Sequence, residues 1–237
     1  MSNIRLFHPE NITENTTGLL SKEHTHYVIN VMRLKRGSNL NFFNKGGEWL
    51  SEIVFLDRDR VEVKFLNKIK ESTNISNIEL AICLVKKSPM ETILQKATEL
   101  GVSKITPIIS ERTEVKELNL DRANKIVVEA IEQSNQLMPP EISGIIKLKD
   151  FLKNLDGTTK LLFADVNSKD NLKAEVLKEA KSLSVLIGPE GDFSPLEREL
   201  ILANPNVVPF TISKNILRSD TAVISAISLV NFINNFH

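Results

Sequence analysis

The sequence predicts an α/β protein in which a domain with a parallel sheet follows a separate β-rich domain. Three observations indicate this class. Before residue 70, turn residues separate short segments of strand character, and after residue 78 apolar strand-like runs alternate with segments of helical periodicity. Between the two patterns lies a polar stretch, Lys70–Asn77. We therefore expect an N-terminal domain over residues 1–72 and a C-terminal domain over residues 73–237.

The N-terminal domain is predicted to be a small β-barrel, because short strands that lie close together in sequence are typical of one. Turn residues, mostly glycine and aspartate, separate the strands. The last strand alternates polar and apolar residues, as a half-buried strand does. The four predicted strands are Tyr27–Leu34, Asn39–Phe43, Trp49–Leu56 and Arg60–Leu66.

The C-terminal domain is predicted to be a parallel sheet covered by helices, because strands and helices alternate along it. Two helix starts are well specified. Ser88 and Ser194 each stand at a predicted N-cap position. Proline follows at the first position of the helix and glutamate at the third, which is the pattern of a capping box. A further helix begins near Asp121. The five predicted strands are Glu79–Val85, Lys104–Ile109, Lys160–Val166, Ser184–Ile187 and Val207–Ile212.

The last predicted helix, Thr221–Phe236, is apolar almost all round. Such a helix must be buried on several faces. Two interpretations remain open at this point: the helix lies in a subunit interface, or it is a central helix of the core.

The composition is that of a globular protein, with 41% hydrophobic and 25% charged residues. A net charge of zero argues against a strongly basic nucleic-acid binder. No apolar run is long enough to span a bilayer, and Met1–Pro9 does not resemble a secretory signal, so we expect a cytoplasmic protein without a membrane partner. The single cysteine, Cys83, excludes an intramolecular disulfide, and we expect it to be buried.

Several familiar chemistries are excluded by missing motifs. The sequence has no phosphate-binding loop, no dinucleotide fingerprint, no serine-hydrolase elbow, no paired cysteines and no zinc-protease motif. We therefore expect no metal.

Two strand-to-helix connections are candidates for a ligand site. In the first, an apolar strand ends at Gly188-Pro189-Glu190-Gly191, and ligands of open α/β sheets bind beyond the carboxyl ends of strands. In the second, Arg218 lies between a strand and the last helix, which Ser219 could cap. Either segment alone is also compatible with an ordinary turn and a solvated surface charge.

Taken together and in order, several segments resemble the RsmE-type methyltransferases, SPOUT-class enzymes that methylate N3 of a uracil in 16S ribosomal RNA. The resemblance runs nearly end to end. The segments that carry it are Arg5-Leu6-Phe7, the run from His26 to Leu34, the run from Gln95 to Val102, Ser110-Glu111-Arg112, Glu132-Gln133-Ser134, Gly188 to Gly191 and the run from Ile216 to Ala222.

The resemblance implies an N-terminal PUA-like β-barrel that binds RNA, a C-terminal α/β domain with a trefoil knot, and a homodimer. It implies S-adenosyl-L-methionine as the cofactor and 16S rRNA of the small ribosomal subunit as the partner. The implied cofactor-binding residues are Phe163, Ala164, Ile187, Gly188, Pro189, Glu190, Gly191, Ile212, Ser213, Asn215, Leu217 and Thr221.

Within that expectation, Arg218 is the candidate catalytic cation and Glu190 a candidate proton acceptor, with a water as the alternative. The candidate RNA-binding residues are Arg5, Arg33, Lys35, Arg36 and Arg112. The family usually has glycine where Asp192 stands, and glycine and arginine where Ser213 and Asn215 stand. These departures favour the alternative hypothesis, a non-catalytic RNA-binding or ribosome-assembly protein that has kept the fold.

Overall fold

The computed structural model describes residues 4–72, 76–178 and 180–236, with side chains up to residue 234, and it divides into two units. Unit 1 comprises Met1–Asn74 and Ile131–Met138, and unit 2 comprises Ile75–Ala130 and Pro139–His237. The chain therefore contributes to unit 1 twice, once from its beginning and once from a short segment in its middle.

Unit 1 is built on a five-stranded sheet with the order β1-β3-β4-β5-β2. β1 pairs with β3 in parallel, and the other neighbours are antiparallel. The strands are β1 (Arg5–Phe7), β2 (Thr17–Leu19), β3 (Asn39–Asn44), β4 (Gly47–Asp57) and β5 (Arg60–Glu71).

Alternation along β5 places Val61, Val63 and Phe65 in the core, as the polar-apolar pattern predicts. Leu40 and Phe42 of β3 pack against the same cluster. The last three predicted strands are confirmed as β3, β4 and β5, whereas β1 and β2 carry no periodicity because they are only three residues long.

The predicted strand Tyr27–Leu34 is wrong. The structure has a short helix α1 (Lys22–His26), followed by a π-helical turn over Tyr27–Val31. The Ser21 hydroxyl accepts a hydrogen bond from the His24 N–H at 3.1 Å and so starts a helix whose buried side includes Val28. The β-branched residues suggested a strand, but the cap and the burial of one face outweigh that propensity.

Arg5 binds the middle segment of unit 1 to its N-terminal strand. Its Nε lies 3.2 Å from both carboxylate oxygens of Glu48. Its Nη atoms donate to the backbone carbonyls of Ile131, Ser134 and Gln136. The Phe43 ring lies 4.2 Å from the guanidinium carbon, so the cation is enclosed on several sides.

Unit 2 contains a parallel sheet with the order β12-β10-β11-β6-β7-β8, and β9 also pairs with β7. Every described strand pair in it is parallel. The strands are β6 (Ile78–Cys83), β7 (Lys104–Ile109), β8 (Glu141–Ile142), β9 (Ile146–Lys147), β10 (Thr159–Ala164), β11 (Ser182–Ile187) and β12 (Val207–Phe210). All five predicted strands of this domain are confirmed.

Six helices accompany this sheet in the described part of the chain. They are α2 (Lys87–Glu99), α3 (Leu120–Gln133, whose last turn belongs to unit 1), α4 (Leu148–Lys153), α5 (Ala174–Lys178), α6 (Pro195–Leu202) and α7 (Ser219–Phe236). The capping box of α6 is confirmed, with both of its reciprocal hydrogen bonds present between Ser194 and Glu197. The predicted cap of α2 is wrong, because this helix begins two residues earlier than Ser88 suggests and Lys86 is its N-cap residue. Proline fits anywhere in the first turn, since the N–H groups there need no helical partner.

The last helix, α7, packs one face into the core of unit 2. Val223, Ala226, Ile227 and Val230 are fully buried there. This confirms a core position for that face. Ile224 and Leu229 are only half-buried, so part of its apolar surface remains accessible in one chain. Among the described residues, no helix is long and apolar enough to cross a membrane.

Candidate functional site

Three neighbouring parallel strands of unit 2 end at one edge of the sheet. β10 lies between β11 and β12, and the loops that follow these strands enclose a cavity of about 290 Å³. This is the position at which open parallel sheets bind ligands. The cavity is lined by Ala164, Asp165, Val166, Ile187, Gly188, Pro189, Glu190, Gly191, Asp192, Thr211, Ile212, Ser213, Asn215, Ile216, Leu217, Ser219 and Ala222.

The loop after β11 is shaped by a glycine and an aromatic ring. A Cβ added at Gly188 would lie 3.0 Å from the Phe193 ring, so glycine permits the ring to pack beneath the turn. The Phe193 ring makes an edge contact with Phe163, with centroids 5.6 Å apart. The turn is therefore anchored to the core beside the cavity.

Asp192 lies in this loop with φ of 58°, in the left-handed region. Its Oδ1 accepts a hydrogen bond from the Phe193 N–H at 2.8 Å. A short polar side chain that bonds to nearby backbone makes this conformation tolerable, whereas most residues are strained there.

The loop after β10 is held by an ion pair. The Asp165 carboxylate is buried and accepts hydrogen bonds from Arg198 Nε at 3.1 Å and from Arg198 Nη2 at 2.7 Å. The Asn167 N–H donates to the same carboxylate at 3.0 Å. Hydrogen bonding to Asp165, with a weaker contribution from the charge of Asp192, raises the pKa of the Arg198 guanidinium. Arg198 thus connects helix α6 to one wall of the cavity.

Two further contacts fix the loop after β11 from outside. Arg112 Nη1 donates to the Gly191 carbonyl at 3.0 Å. The Glu111 N–H donates to Glu197 Oε1 at 2.7 Å, while Glu197 Oε2 accepts from the Ser194 N–H in the capping box. The segment that follows β7 therefore supports the middle of this loop and the first turn of α6.

The loop after β12 is held by bonds from its backbone N–H groups to a neighbouring segment and to one of its own side chains. The Thr211 N–H donates to the Asp170 carbonyl at 2.9 Å, and the Asn215 N–H donates to Ser213 Oγ at 3.0 Å. Ser219 Oγ lies 3.4 Å from the Gly188 carbonyl, which connects this loop to the one after β11. Ile216 is 90% exposed at the rim.

The structure brings most of the predicted cofactor-binding residues to this cavity. Phe163 and Thr221 lie outside its lining, because Phe163 is buried beneath the Phe193 ring and Thr221 is exposed in the first turn of α7. The residues placed in the lining are Ala164, Ile187, Gly188, Pro189, Glu190, Gly191, Ile212, Ser213, Asn215 and Leu217.

The other lining residues were not among the predicted cofactor-binding residues, although Asp165 and Ile216 lie in the loops that the resemblance implies. Their signal was positional, since each lies within a few residues of a strand end or at the start of the last helix. They are Asp165, Val166, Asp192, Thr211, Ile216, Ser219 and Ala222.

The lining is acidic. It contains the carboxylates of Asp165, Glu190 and Asp192, and none of its residues is lysine, arginine or histidine. Arg198 neutralises Asp165, so Glu190 and Asp192 carry the remaining charge. A cavity of this character favours a cationic ligand over an anionic one.

Arg218 does not line the cavity, although its neighbours Leu217 and Ser219 do. Its side chain is 71% exposed, and its Nε lies 3.8 Å from Asp220 Oδ1. The guanidinium is therefore available to a molecule approaching the rim.

The predicted RNA-binding residues differ in their exposure and in their hydrogen-bond partners. Arg33, Lys35 and Arg36 are exposed in unit 1, and Arg33 has a positive φ of 52°. Arg5 is only 12% exposed and is occupied by Glu48 and backbone carbonyls, so its guanidinium has a structural role. Arg112 is exposed in unit 2, where it supports Gly191.

Comparison with known proteins places the whole chain in one family. A family model described as RNA methyltransferase domain matches residues 71–231, and one described as RNA methyltransferase PUA domain matches residues 20–66. A ribosomal RNA small subunit methyltransferase E from Rickettsia conorii is 32% identical over 98% of this chain and 96% of the relative. The chain belongs to the methyltransferase E family. A member from Aquifex aeolicus is 30% identical over 97% of this chain and 100% of the relative.

Solved structures of methyltransferases share the fold. A ribosomal RNA small subunit methyltransferase E from Neisseria gonorrhoeae, bound to S-adenosyl methionine, has a TM-score of 0.91 at 27% identity and covers 100% of both chains. A putative methyltransferase from Legionella pneumophila, solved with bound SAM, has a TM-score of 0.84 at 26% identity and covers 98% of both chains. The predicted fold class, an α/β methyltransferase domain with a PUA-like domain, is confirmed. The trefoil knot stays a prediction.

Proposed function

We propose that this protein transfers a methyl group from S-adenosyl-L-methionine to N3 of a specific uridine in 16S rRNA of the small ribosomal subunit. The cavity at the ends of β10, β11 and β12 carries the proposal, because it lies in a chain that matches, over its whole length, a methyltransferase E solved with S-adenosyl methionine. We further propose that residues 73–237 carry the reaction and residues 1–72 bind RNA.

The residues present fit this cofactor. A cavity of about 290 Å³ is at the lower end of the range for small-molecule sites, and the exposed rim at Val166 and Ile216 leaves it open on one side. Glycine-containing turns present backbone N–H and C=O groups suited to an adenine and an amino-acid group. Apolar walls are supplied by Ile187, Ile212 and Leu217.

When bound, S-adenosyl-L-methionine supplies a methyl group that its sulfonium has already activated. The residues of this chain have two tasks, which are to orient the donor and to accommodate charge on the acceptor. Loops anchored by Phe193, by the Asp165–Arg198 pair and by Arg112 provide a rigid frame for the first task. Orientation of this kind supplies about 7–11 kcal/mol of a barrier in well-aligned systems.

Arg218 performs the second task. Uracil N3 carries a proton and must lose it, so negative charge develops on the ring oxygens during transfer. A fixed cation beside those oxygens stabilises that charge. Arg218 lies at the entry of α7, next to two residues of the cavity lining, and Glu190 of the lining is the candidate acceptor for the N3 proton.

The experiment combines cofactor binding with methylation. Calorimetry with S-adenosyl-L-methionine tests the site, and ribosomal RNA from a strain that lacks the modification tests the reaction. Arg218→Ala should lower turnover by about 10²-fold or more while cofactor affinity changes little. Lys214→Ala removes another exposed cation of the same loop, outside the lining, and should leave turnover within about twofold.

Two outcomes would contradict parts of this proposal. Parallel losses of turnover and cofactor affinity in Arg218→Ala would make Arg218 a cofactor or structural residue. RNA binding by the wild-type protein without any cofactor binding would instead support the non-catalytic assembly protein.

The exposed cations of unit 1 support its proposed RNA contact. Arg33, Lys35 and Arg36 lie within four residues of one another and project into solvent. Phosphate contacts of this kind make affinity depend on salt. Arg33→Ala should weaken RNA binding and reduce the salt dependence by about one counterion, without changing cofactor affinity.

We also propose a cytoplasmic homodimer. The partly accessible apolar residues of α7, including Ile224 and Leu229, support a second copy packing on this helix. Equilibrium sedimentation of the purified protein tests the dimer.

A further inference from the structure

We propose that Asp192 is a specificity-determining residue whose negative charge makes the cavity prefer the cationic methyl donor to the neutral product of transfer. The inference rests on the function proposed above and adds to it a reason why the demethylated cofactor is released after transfer. No sequence pattern of the site requires an acid at this position. Two structural observations support the role: the backbone accommodates Asp192 at the cavity, and the lining contains no cation.

The first observation is the backbone conformation of Asp192. With φ of 58°, it lies in the left-handed region, where glycine is free of strain and most other residues are not. Aspartate is one of the few residues other than glycine that tolerate this conformation, so the loop keeps a glycine-like backbone while it carries a carboxylate at the cavity. Its hydrogen bond from the Phe193 N–H involves Oδ1, and in the part of the chain that the structure describes no other hydrogen bond to this carboxylate is found.

The second observation is the distribution of charge around the cavity. Arg198 is committed to Asp165, with hydrogen bonds between 2.7 and 3.3 Å. The lining offers no cation to neutralise Asp192 or Glu190. Arg112, which lies outside the lining, directs its Nη1 at the Gly191 carbonyl. The charge of Asp192 also acts on Arg198, but less than that of Asp165 does. Because no ion pair to Asp192 is found among the described residues, its charge still acts on whatever occupies the cavity.

The methyl donor and the product of transfer differ in net charge, and the field of the lining acts on that difference. S-adenosyl-L-methionine carries a sulfonium, an ammonium and a carboxylate, so it has one net positive charge. When the methyl group moves to uracil N3, the carbon–sulfur bond breaks and the sulfur keeps the electron pair. The thioether product, S-adenosyl-L-homocysteine, has no net charge. An acidic lining thus attracts the donor and loses that attraction once transfer is complete.

The test compares the affinities of the two compounds in matched variants. Asp192→Asn removes the charge but keeps the side-chain size, the acceptor for the Phe193 N–H and the tolerance of positive φ. Glu199→Gln makes the same change of net charge on an exposed residue of α6 outside the lining. Calorimetry gives the dissociation constants of S-adenosyl-L-methionine and S-adenosyl-L-homocysteine for the wild type and both variants.

We expect Asp192→Asn to lower the preference for the donor by roughly three- to tenfold, mainly by weakening donor binding, as a single partly screened charge would. Glu199→Gln should leave the preference within about twofold of wild type. An unchanged preference in Asp192→Asn overturns the inference alone. Failure of the wild-type protein to bind either compound would overturn the proposed function together with it.

Discussion

Loss of the Arg198 guanidinium should destabilise unit 2 measurably. The change Arg198→Ala leaves the Asp165 carboxylate, which is 3% exposed, with only Asn167 as a hydrogen-bond donor. Hydrogen bonds to a charged group contribute about 1.5–3 kcal/mol each, but the arginine side chain is 35% exposed and water can replace part of its contribution. We therefore expect a loss of about 2 kcal/mol in the free energy of unfolding.

Urea unfolding followed by far-UV circular dichroism measures this loss, and the melting temperature should fall by about 4–8 °C. Arg122→Ala is the matched control. This arginine also lies on a helix of unit 2 and pairs with Glu91 at 3.2 Å, but here the carboxylate is 31% exposed, whereas Asp165 is buried. Its loss should cost less than about 1 kcal/mol.

A double-mutant cycle isolates the pair itself. In an Asp165→Asn background, Arg198→Ala should cost less than in the wild type, with a coupling of about 1–3 kcal/mol. Equal losses for the two arginine variants, or a coupling near zero, would show that water replaces the Arg198 contact fully and that the reasoning from burial is wrong.

Three further predictions concern a helix cap, a thiol and an imidazole. Ser194→Ala should cost about 1 kcal/mol of unfolding free energy, because Ser194 caps α6, whereas Ser88→Ala within the first turn of α2 should cost less than about 0.5 kcal/mol. Burial raises the pKa of the Cys83 thiol to about 12, so a thiol reagent at pH 8 should label the protein only after urea unfolds it. Burial lowers the pKa of His8, so the unfolded chain binds more protons than the folded chain below about pH 6.5. The free energy of unfolding should therefore fall as the pH drops below that value, and it should fall less steeply in His8→Gln. Urea unfolding midpoints measured across this pH range check the prediction.

Each of these predictions has a contrary result. Equal losses for the two serine variants would contradict the assignment of the caps. Rapid labelling of Cys83 in the native protein would contradict its burial, and an unchanged pH dependence in His8→Gln would assign that dependence to other groups.

The C-terminal domain was predictable because its signals are local. Ser194, Pro195 and Glu197 specify the start of α6 within four residues, and the structure contains both reciprocal hydrogen bonds. The five predicted strands are mostly apolar runs, and the site follows from the rule that ligands bind beyond the carboxyl ends of such strands. Ten of the predicted cofactor residues therefore lie in the cavity lining.

The N-terminal part was less predictable because its structure depends on distant contacts. β1 is three residues long and pairs in parallel with β3, more than thirty positions away. Tyr27–Val31 has the composition of a strand but continues a helix that Ser21 begins. Nothing near Arg5 in the sequence indicates that its partners are carbonyls at residues 131 to 136. Tertiary packing decides these pairings and conformations, and the periodicity of the sequence does not predict them.

The partners of Arg5 mean that the N-terminal module, residues 1–72, is incomplete without residues 131–138. A fragment ending near residue 72 would lack Ile131 and Leu137, which cover the Phe43 ring, and would leave the Arg5 cation without its carbonyl acceptors. Shuffling this module onto another catalytic domain by simple fusion would therefore expose an apolar surface and an unsatisfied cation. Gene rearrangements that preserve the module must also carry, or replace, the eight-residue insert that completes it.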